Sequence, residues 1–282
     1  MAKPIKICAD STCDLPKDLL EKYNIDVFAL PVNLGDKPCL DGVDVHPDDL
    51  YEYYRKTGRL TTTSAPSPTM CEDWYRPYVE QGYAVIHFSI SSEMTVTHAN
   101  HKAGAAAFED VYPVDSRSLS SGMGMLAIRA AKMAQEGKTV EEILAAVNEL
   151  RDHIEVSFVL DQLEYMWKGG RCSGVAALGA NVLKLKPCIE VREAKMGVTK
   201  KYRGNLAAVH MQFLEDKLKG RNDLDLDTIF ITHSKIDPSY IEAVINKIRE
   251  LQPFANIIPT DASCSVCNHC GPNTVGIIYM TK

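Results

Sequence analysis

Four hydroxyl side chains lie next to one another in the segment TTTSAPSP, residues 61–68. Proline fixes its own φ and restricts the residue before it, so the part after the hydroxyls is predicted to be rigid and extended or turn-like. Hydroxyl groups both donate and accept hydrogen bonds. Hydroxyls on a rigid loop of this kind are held in fixed positions from which they can form hydrogen bonds with a ligand. A simpler role is also open, in which Ser67 caps the helical run MCEDWYRPYVEQG.

Three further hydroxyl-rich segments follow short apolar runs typical of strands. They are ADST (residues 9–12), SISS (residues 89–92) and VDSRS (residues 114–118). Ligands of parallel sheets bind outside the carboxyl ends of the strands. The hydroxyl-rich loops are therefore predicted to converge on one rim.

The elements that would position these loops alternate between strand and helix in the first half of the chain. The runs IKICADST, IDVFALPVNL and YAVIHFSIS are strand-like, and amphipathic runs such as DLPKDLLEKYN and HPDDLYEYYRKTG separate them. This alternation predicts an α/β domain with a mostly parallel sheet, which we assign to residues 1–155. The second half, residues 156–282, contains a hairpin with its turn at Lys195–Gly197 and further mixed elements. It is predicted to be an α+β domain that packs closely on the first.

The stretch CSVCNHC contains the metal-ligand types Cys264, Cys267, His269 and Cys270. Zinc usually takes four such ligands from two separated pairs, and no second pair follows this crowded group. The sequence therefore predicts no metal here, and a redox role for the two closing cysteines is disfavoured. The glycine and proline at 271 and 272 predict a tight loop that holds the imidazole of His269.

Basic residues are concentrated in one segment. Residues 165–203 carry a net charge of +7, which leaves −13 for the rest of a chain whose total is −6. Such a block favours an acidic or phosphate-bearing partner, although a solvated face is the simpler reading. General nucleic-acid binding is disfavoured because the remaining surface would repel the phosphate backbone.

Bulk features exclude several other classes. No apolar run approaches the roughly 18 residues of a membrane helix, and the start of the chain lacks a signal-peptide core. Nine cysteines, an odd number scattered over 282 residues, indicate reduced thiols rather than a disulfide framework. We therefore expect a cytoplasmic protein without integral membrane association.

The segment KGGRCSGVAALGANVLKLKP, residues 168–187, combines two glycines before Arg171 with a run of small apolar residues. Small residues let another segment or a slim ligand approach closely. A wall of this kind suits a hydrocarbon better than a sugar or nucleotide, although plain helix packing would also explain it.

Together these motifs resemble the DegV family over essentially the whole chain. The resemblance depends on ADSTCDLP, TTTSAPSP, SISS, PVDSRSLSSGMG, the KGGR block and the closing HCGPNTVG. It implies a two-domain fatty-acid-binding protein that holds one long acyl chain in a buried tunnel. It also implies that a separate fatty acid kinase phosphorylates the bound carboxylate to an acyl-phosphate.

The resemblance also implies roles for particular residues. The hydroxyls and the imidazole that match the family's carboxyl-binding motifs are those of Thr62, Thr63, Ser64, Ser91, Ser92 and His269. Arg171 matches the arginine of KGGR, which the family places on the kinase-facing side, and we assign Lys201 of the basic block to the same docking role. No catalytic residue, metal or cofactor is expected beyond the bound fatty acid.

Two other functions remain open from the residues alone. Ser91 or Ser92 with His269 could serve a hydrolase or acyltransferase, although no nucleophile-elbow motif is present. Alternatively, the basic block could make the protein a regulator that docks protein or nucleic acid.

Overall fold

The computed structural model of the protein describes residues 3–176 and 185–282. Strands of the first half are β1 (Ile5–Asp10), β2 (Ile25–Phe28), β3 (Pro31–Leu34), β4 (Lys37–Leu40), β5 (Thr62–Thr63), β6 (Ala84–Ser89) and β7 (Val111–Asp115). Its helices are α1 (Lys17–Tyr23), α2 (Pro47–Thr57), α3 (Pro68–Glu80), α4 (Thr97–Ala105), α5 (Ser121–Gln135) and α6 (Val140–Leu150), and short 3₁₀ turns lie at Ser11–Cys13 and Arg151–His153.

Described strands of the second half are β8 (Ile154–Val159), β9 (Leu185–Arg192), β10 (Lys195–Arg203), β11 (Leu224–Ser234), β12 (Asn256–Asp261) and β13 (Thr274–Thr281). The described helices are α7 (Leu163–Gly169), α8 (Ser173–Ala176), α9 (Leu206–Leu218), α10 (Pro238–Leu251) and α11 (Cys264–Cys270). The predicted small-residue wall continues through residues 177–184, which lie outside the described residues.

A four-stranded parallel sheet in the order β2-β1-β6-β7 organises the first half. Alternate residues of β1 point to opposite faces, so Ile7 and Ala9 pack toward α5 while Cys8 packs toward α3. Both faces are covered by helices, which explains why these strands read as continuous apolar runs. The predicted parallel α/β organisation of the first half is confirmed.

A small antiparallel sheet in the order β4-β3-β5 lies beside this layer and differs from the sequence prediction. The run IDVFALPVNL was predicted as one strand, but it splits into β2 and β3, which belong to different sheets. The TTTS segment was predicted as loop, but Thr62 and Thr63 form β5 and pair with β3. The small sheet therefore holds the hydroxyl segment in place.

The second half contains a six-stranded mixed sheet in the order β10-β9-β8-β13-β11-β12. The pair β11 and β12 is parallel, whereas the other neighbours are antiparallel. Helix α5 lies between the two large sheets and shares one apolar core with both. Strand β8 begins at Ile154, so the predicted boundary between residues 155 and 156 falls inside this strand and stays a prediction.

Two local predictions have opposite outcomes. Ser67 caps α3, since its side chain accepts a hydrogen bond from the Met70 amide at 3.2 Å, and that prediction is confirmed. The hairpin turn was predicted at Lys195–Gly197, but it lies at Glu193 and Ala194, both with positive φ (50° and 67°). Glycine, asparagine and aspartate normally occupy such turn positions, so the Glu-Ala pair gives no turn signal. A tertiary contact, described below, holds the turn.

Candidate functional site

A cavity lies between the six-stranded sheet and loops of the first half that follow β1, β2 and β6, with about 970 Å³ of space that includes a part open to solvent. Alternate residues of the six-stranded sheet form one wall: Val156 and Phe158 on β8, and Thr274, Gly276 and Ile278 on β13. Apolar side chains from the other elements complete much of the surface; they are Leu30, Ile90, Met94, Leu119, Met166, Met196 and Val266. The space therefore suits a long apolar ligand.

One end of the cavity carries polar side chains. Thr63 Oγ1 lies 3.1 Å from Nε2 of His269, and both residues line the cavity together with Ser64 and Arg171. A second hydrogen bond, from Thr61 Oγ1 to Asn268 Oδ1, joins the threonine segment to α11 next to this pair. The structure thus brings together three of the six predicted ligand-binding residues, Thr63, Ser64 and His269.

The imidazole of His269 is held in its neutral form. Burial, together with the positive charge of Arg171, lowers its pKa to about 4. Neutral imidazole has one donor and one acceptor nitrogen, so it can either donate to a carboxylate or accept from a carboxylic acid. His269 lies in the last turn of α11, and the tight turn predicted at Gly271 and Pro272 follows directly, with a φ of 70° at Gly271; that this turn holds the imidazole stays a prediction.

Gly169, at the end of α7, packs directly against this ring. A Cβ placed on Gly169 would lie 2.2 Å from Nδ1 of His269 and 3.1 Å from its Cε1. Since Thr63 contacts the ring at Nε2, the imidazole is fitted between a threonine hydroxyl and the bare Cα of a glycine. The first glycine of KGGR therefore leaves the space in which the histidine lies.

Arg171 lies at the mouth of the cavity. Its side chain is exposed, and it lines both the cavity and an outer surface groove that also includes Ala65, Met94 and Thr95. The guanidinium donates a hydrogen bond to the Gly169 carbonyl at 2.7 Å, which directs it across the groove. The polar end of the cavity therefore connects to the surface beside a positive charge.

Much of the basic block is paired with acids. Ion pairs with neighbouring carboxylates involve Lys168, Lys186, Arg192, Lys195 and Lys200. Lys201 on β10 is exposed and has no carboxylate within 4.0 Å among the residues that the structure describes. Arg171 and Lys201 are thus candidates for contact with a partner, and their docking role stays a prediction.

Ser91 and Ser92 are not brought to the polar end of the cavity. Ser91 is fully buried and donates its hydroxyl proton to the Ala194 carbonyl at 2.7 Å, which is the contact that holds the hairpin turn. Ser92 is exposed and donates to Asp115 Oδ2 at 2.6 Å. Neither serine hydroxyl bonds to His269 among the described contacts, so the geometry gives no support to the hydrolase alternative.

Thr62 also faces away from its neighbour Thr63, as alternation along β5 requires. It is exposed, and its Oγ1 accepts a hydrogen bond from Asn33 at 3.4 Å. Ligand-binding roles for Thr62, Ser91 and Ser92 stay predictions.

The cysteines of CSVCNHC lie on the buried side of α11 rather than in a loop. The thiols of Cys264 and Cys267 donate to the carbonyls of Val45 and Ala262, at 3.2 and 3.3 Å. Burial raises the pKa of the Cys264 thiol above its usual value, which disfavours the thiolate that metal binding needs.

A second group of side chains, of the types that can bind a metal ion, was not predicted from the sequence. Asp10 Oδ1 accepts hydrogen bonds from Nε2 of His87 at 3.1 Å and from Nε2 of His101 at 2.9 Å, and all three residues are fully buried. Burial opposes ionisation of the carboxyl, yet the two imidazoles hold the pKa of Asp10 well below its usual range. Tyr75 bonds to the far nitrogen of His101 at 2.7 Å. This network ties α4 to the two central strands of the parallel sheet.

Three hydroxyl side chains of the cavity wall were also not predicted to belong to the site. Thr12, Ser120 and Thr232 line the cavity, and Ser120 donates to the buried Asp14 at 2.6 Å. Burial raises the pKa of Asp14 to about 7, although hydrogen bonds from Ser120 and Ser263 act in the opposite direction. The motif ADST contained Thr12 and was a usable signal for it.

Comparison with known proteins places this architecture in a family. The family model described as the DegV family matches residues 4–282, nearly the whole chain. The chain belongs to the DegV family. A DegV domain-containing protein of Clostridium perfringens is 31% identical to this DegV protein, over 99% of each chain.

Two solved structures share the fold over their full length. A DegV lipid binding protein from Thermotoga maritima superposes with a TM-score of 0.86 at 25% identity, over 100% of this chain and 99% of that one. A DegV family protein from Thermus thermophilus, described by its fatty acid binding, gives a TM-score of 0.86 at 26% identity, over 99% and 100% of the two chains. The two-domain DegV fold is thereby confirmed. None of the helices in the described ranges is long and apolar enough to cross a membrane.

Proposed function

We propose that this DegV protein binds one long-chain fatty acid, with the acyl chain in the cavity and the carboxyl group at its polar end. The observation that carries the proposal is the apolar cavity against the six-stranded sheet, which carries the Thr63–His269 pair beside Arg171. The lipid and fatty acid binding described for the two structural relatives supports the same function.

The apolar walls would supply most of the affinity. Burial of each CH₂ group contributes about 0.8 kcal/mol, so a sixteen-carbon chain contributes on the order of 10 kcal/mol before the costs of binding. The acyl chain would contact Val156, Phe158 and Ile278 along the wall formed by the six-stranded sheet. Slow release of such a ligand is the expected consequence.

The polar end of the cavity would orient the fatty acid by binding its carboxyl group. A carboxylate could accept hydrogen bonds from Thr63 and from an Nε2–H of His269, while the charge of Arg171 compensates its own charge. Ser64 adds a further hydroxyl on the same wall. Because the imidazole is neutral over the physiological range, its contribution is a hydrogen bond rather than an ion pair.

The mouth suggests how a second protein could reach the carboxyl group. The outer groove shares Ala65, Met94, Thr95 and Arg171 with the cavity, so the polar end lies just beneath it. In our proposal a fatty acid kinase docks on this groove, and the carboxylate oxygen attacks the terminal phosphorus of a nucleoside triphosphate. An acyl-phosphate and a nucleoside diphosphate result, and the DegV protein acts as carrier rather than as enzyme.

Native mass spectrometry of freshly purified protein tests the binding proposal. A bound species with the mass of a fatty acid is expected, and delipidated protein should rebind palmitate. Thr63→Val should weaken rebinding by about fivefold or more, because loss of one hydrogen-bond partner in a buried site costs about 1–3 kcal/mol.

Thr62→Val serves as the matched comparison, since Thr62 has the same chemistry on the opposite side of β5. Equal affinities of both variants and the wild type would refute the assigned carboxyl site. Absence of any fatty acid binding by the wild type would refute the function itself.

A further inference from the structure

Two buried hydroxyls on the cavity wall have no hydrogen-bond partner in the part of the chain that the structure describes. Five other buried hydroxyls on this wall are bonded to protein groups; they are Thr97, Ser120, Thr232, Ser234 and Thr274. Oγ1 of Thr12 and Oγ of Ser265 have none among the described residues, although their residues are only 2% and 7% exposed. Both residues line the cavity.

An unpaired buried hydroxyl is unusual because it loses its bonds to water and gains nothing in return. The hydroxyls of Thr12 and Ser265 differ in position from other unpaired buried hydroxyls of the described residues. Ser157, for example, also lacks a partner among the described residues, but it lies between Val156 and Phe158 on β8 and so faces away from the cavity. A ligand in the cavity can reach Thr12 and Ser265, which both line it.

The two hydroxyls belong to one part of the wall. Oδ2 of Asp41 accepts a hydrogen bond from the Ser11 hydroxyl at 3.0 Å and from the Ser265 amide at 3.0 Å. One carboxylate oxygen thus ties the 3₁₀ turn that carries Thr12 to the first turn of α11. Asp14 reinforces the junction by accepting from the Ser263 amide at 2.9 Å.

This polar spot lies close to the proposed carboxyl site. Ser265 and His269 are four residues apart on α11 and both line the cavity, so they are separated by about 6 Å along the helix axis. A ligand group that reaches Ser265 would therefore lie only a few carbons from a carboxyl group held at His269.

We propose that the site prefers fatty acids with a hydroxyl group near the carboxyl end, the 3-hydroxy acids in particular. The inference rests on the proposed function and names its substrate class. The ligand hydroxyl donates to one of the two protein oxygens and accepts from the other, so that three buried hydroxyls are satisfied together. An unsubstituted acid leaves both protein hydroxyls without a ligand partner.

The test compares the affinities of delipidated full-length protein for palmitate, 3-hydroxypalmitate and 16-hydroxypalmitate by calorimetric titration. We expect 3-hydroxypalmitate to bind about three- to tenfold more tightly than palmitate, the effect of one or two neutral hydrogen bonds. The 16-hydroxy acid carries the same group at the far end and should gain nothing. The double variant Thr12→Val, Ser265→Ala should lose the preference, so that its affinities for palmitate and 3-hydroxypalmitate become equal.

Ser157→Ala is the matched control, because it removes an unpaired buried hydroxyl that does not face the cavity, and it should keep the preference. Equal affinity of the wild type for palmitate and 3-hydroxypalmitate would overturn this inference and leave the proposed function intact. A preference that survives in the double variant would overturn it as well. Failure of the wild type to bind any of the three acids would overturn the proposed function and this inference with it.

Discussion

Replacement of Gly169 by alanine tests whether the first glycine of KGGR is needed to leave space for the imidazole of His269. The added Cβ would lie 2.2 Å from Nδ1 of His269, whereas ordinary contact begins at 3.4 Å. The ring would have to withdraw by about 1.2 Å, and Thr63, 3.1 Å from Nε2, blocks that direction. The ring must therefore rotate or α7 must shift, and either change breaks the Thr63–His269 contact.

The sign of the change in stability distinguishes a clash with His269 from the effect of helix propensity alone. Gly169 lies in a helix and has no positive φ, so alanine alone would stabilise it by roughly 0.5–1 kcal/mol. The clash acts in the opposite direction, since overpacking costs about 1–3 kcal/mol and a lost hydrogen-bond partner costs a similar amount. We expect a net loss of stability and a drop of about tenfold in fatty acid affinity.

Urea unfolding and calorimetric titration with palmitate measure the two effects. Gly197→Ala is the control, because a Cβ there would meet nothing within 4 Å and its φ is not positive. In a His269→Ala background the same Gly169→Ala change should become neutral or stabilising. Wild-type stability and affinity in Gly169→Ala, or an equal penalty with and without His269, would refute the reasoning.

Three further expectations follow from the site and the core. Arg171→Ala, alone or with Lys201→Ala, should slow acyl-phosphate formation by the cognate kinase more than it weakens palmitate binding, and the defect should shrink with added salt; a salt-independent defect would contradict a docking role. Burial lowers the pKa of His269 to about 4, below its unfolded value near 6.5, so its contribution to stability is present above pH 6.5 and is lost as the pH falls toward 4. His269→Gln should flatten that part of a melting-temperature profile, and an unchanged slope would count against a neutral imidazole. Asp10→Asn should lower the free energy of unfolding by about 1–3 kcal/mol, because two buried imidazoles lose a charged acceptor, and a urea titration that finds no change would show that the network is not structural.

Local patterns predicted the layers of the fold well. Continuous apolar runs such as those containing Cys8 and His87 require helices on both faces, so the parallel sheet could be derived from the sequence. The cap at Ser67 could be derived as well, because it depends on residues within one turn. The run of mixed elements after residue 155, with a hairpin, also predicted a second, α+β domain from the sequence.

Long-range contacts set the limits of sequence reasoning. Ser91 stabilises the positive-φ turn at Glu193 and Ala194 from 103 residues away, and no local signal reveals such a contact. The Thr63–His269 pair became visible only through the family motifs, since β5 and α11 are 206 residues apart. The sequence could not predict that the hydroxyls of Thr12 and Ser265 lack hydrogen-bond partners among the described residues, because the available partners depend on how the cavity is assembled.

The position of the cavity between the six-stranded sheet and loops of the first half has a consequence for turnover of the protein. Val156 and Phe158 from one sheet, with Ile90 and Leu119 from the other half, face a space that a bound chain would fill. A ligand there acts as a removable part of the interior, and at 100 times its dissociation constant it would add about 2.7 kcal/mol to stability. The empty form would then be the better protease substrate, so the lifetime of the protein in the cell would follow the supply of its fatty acid.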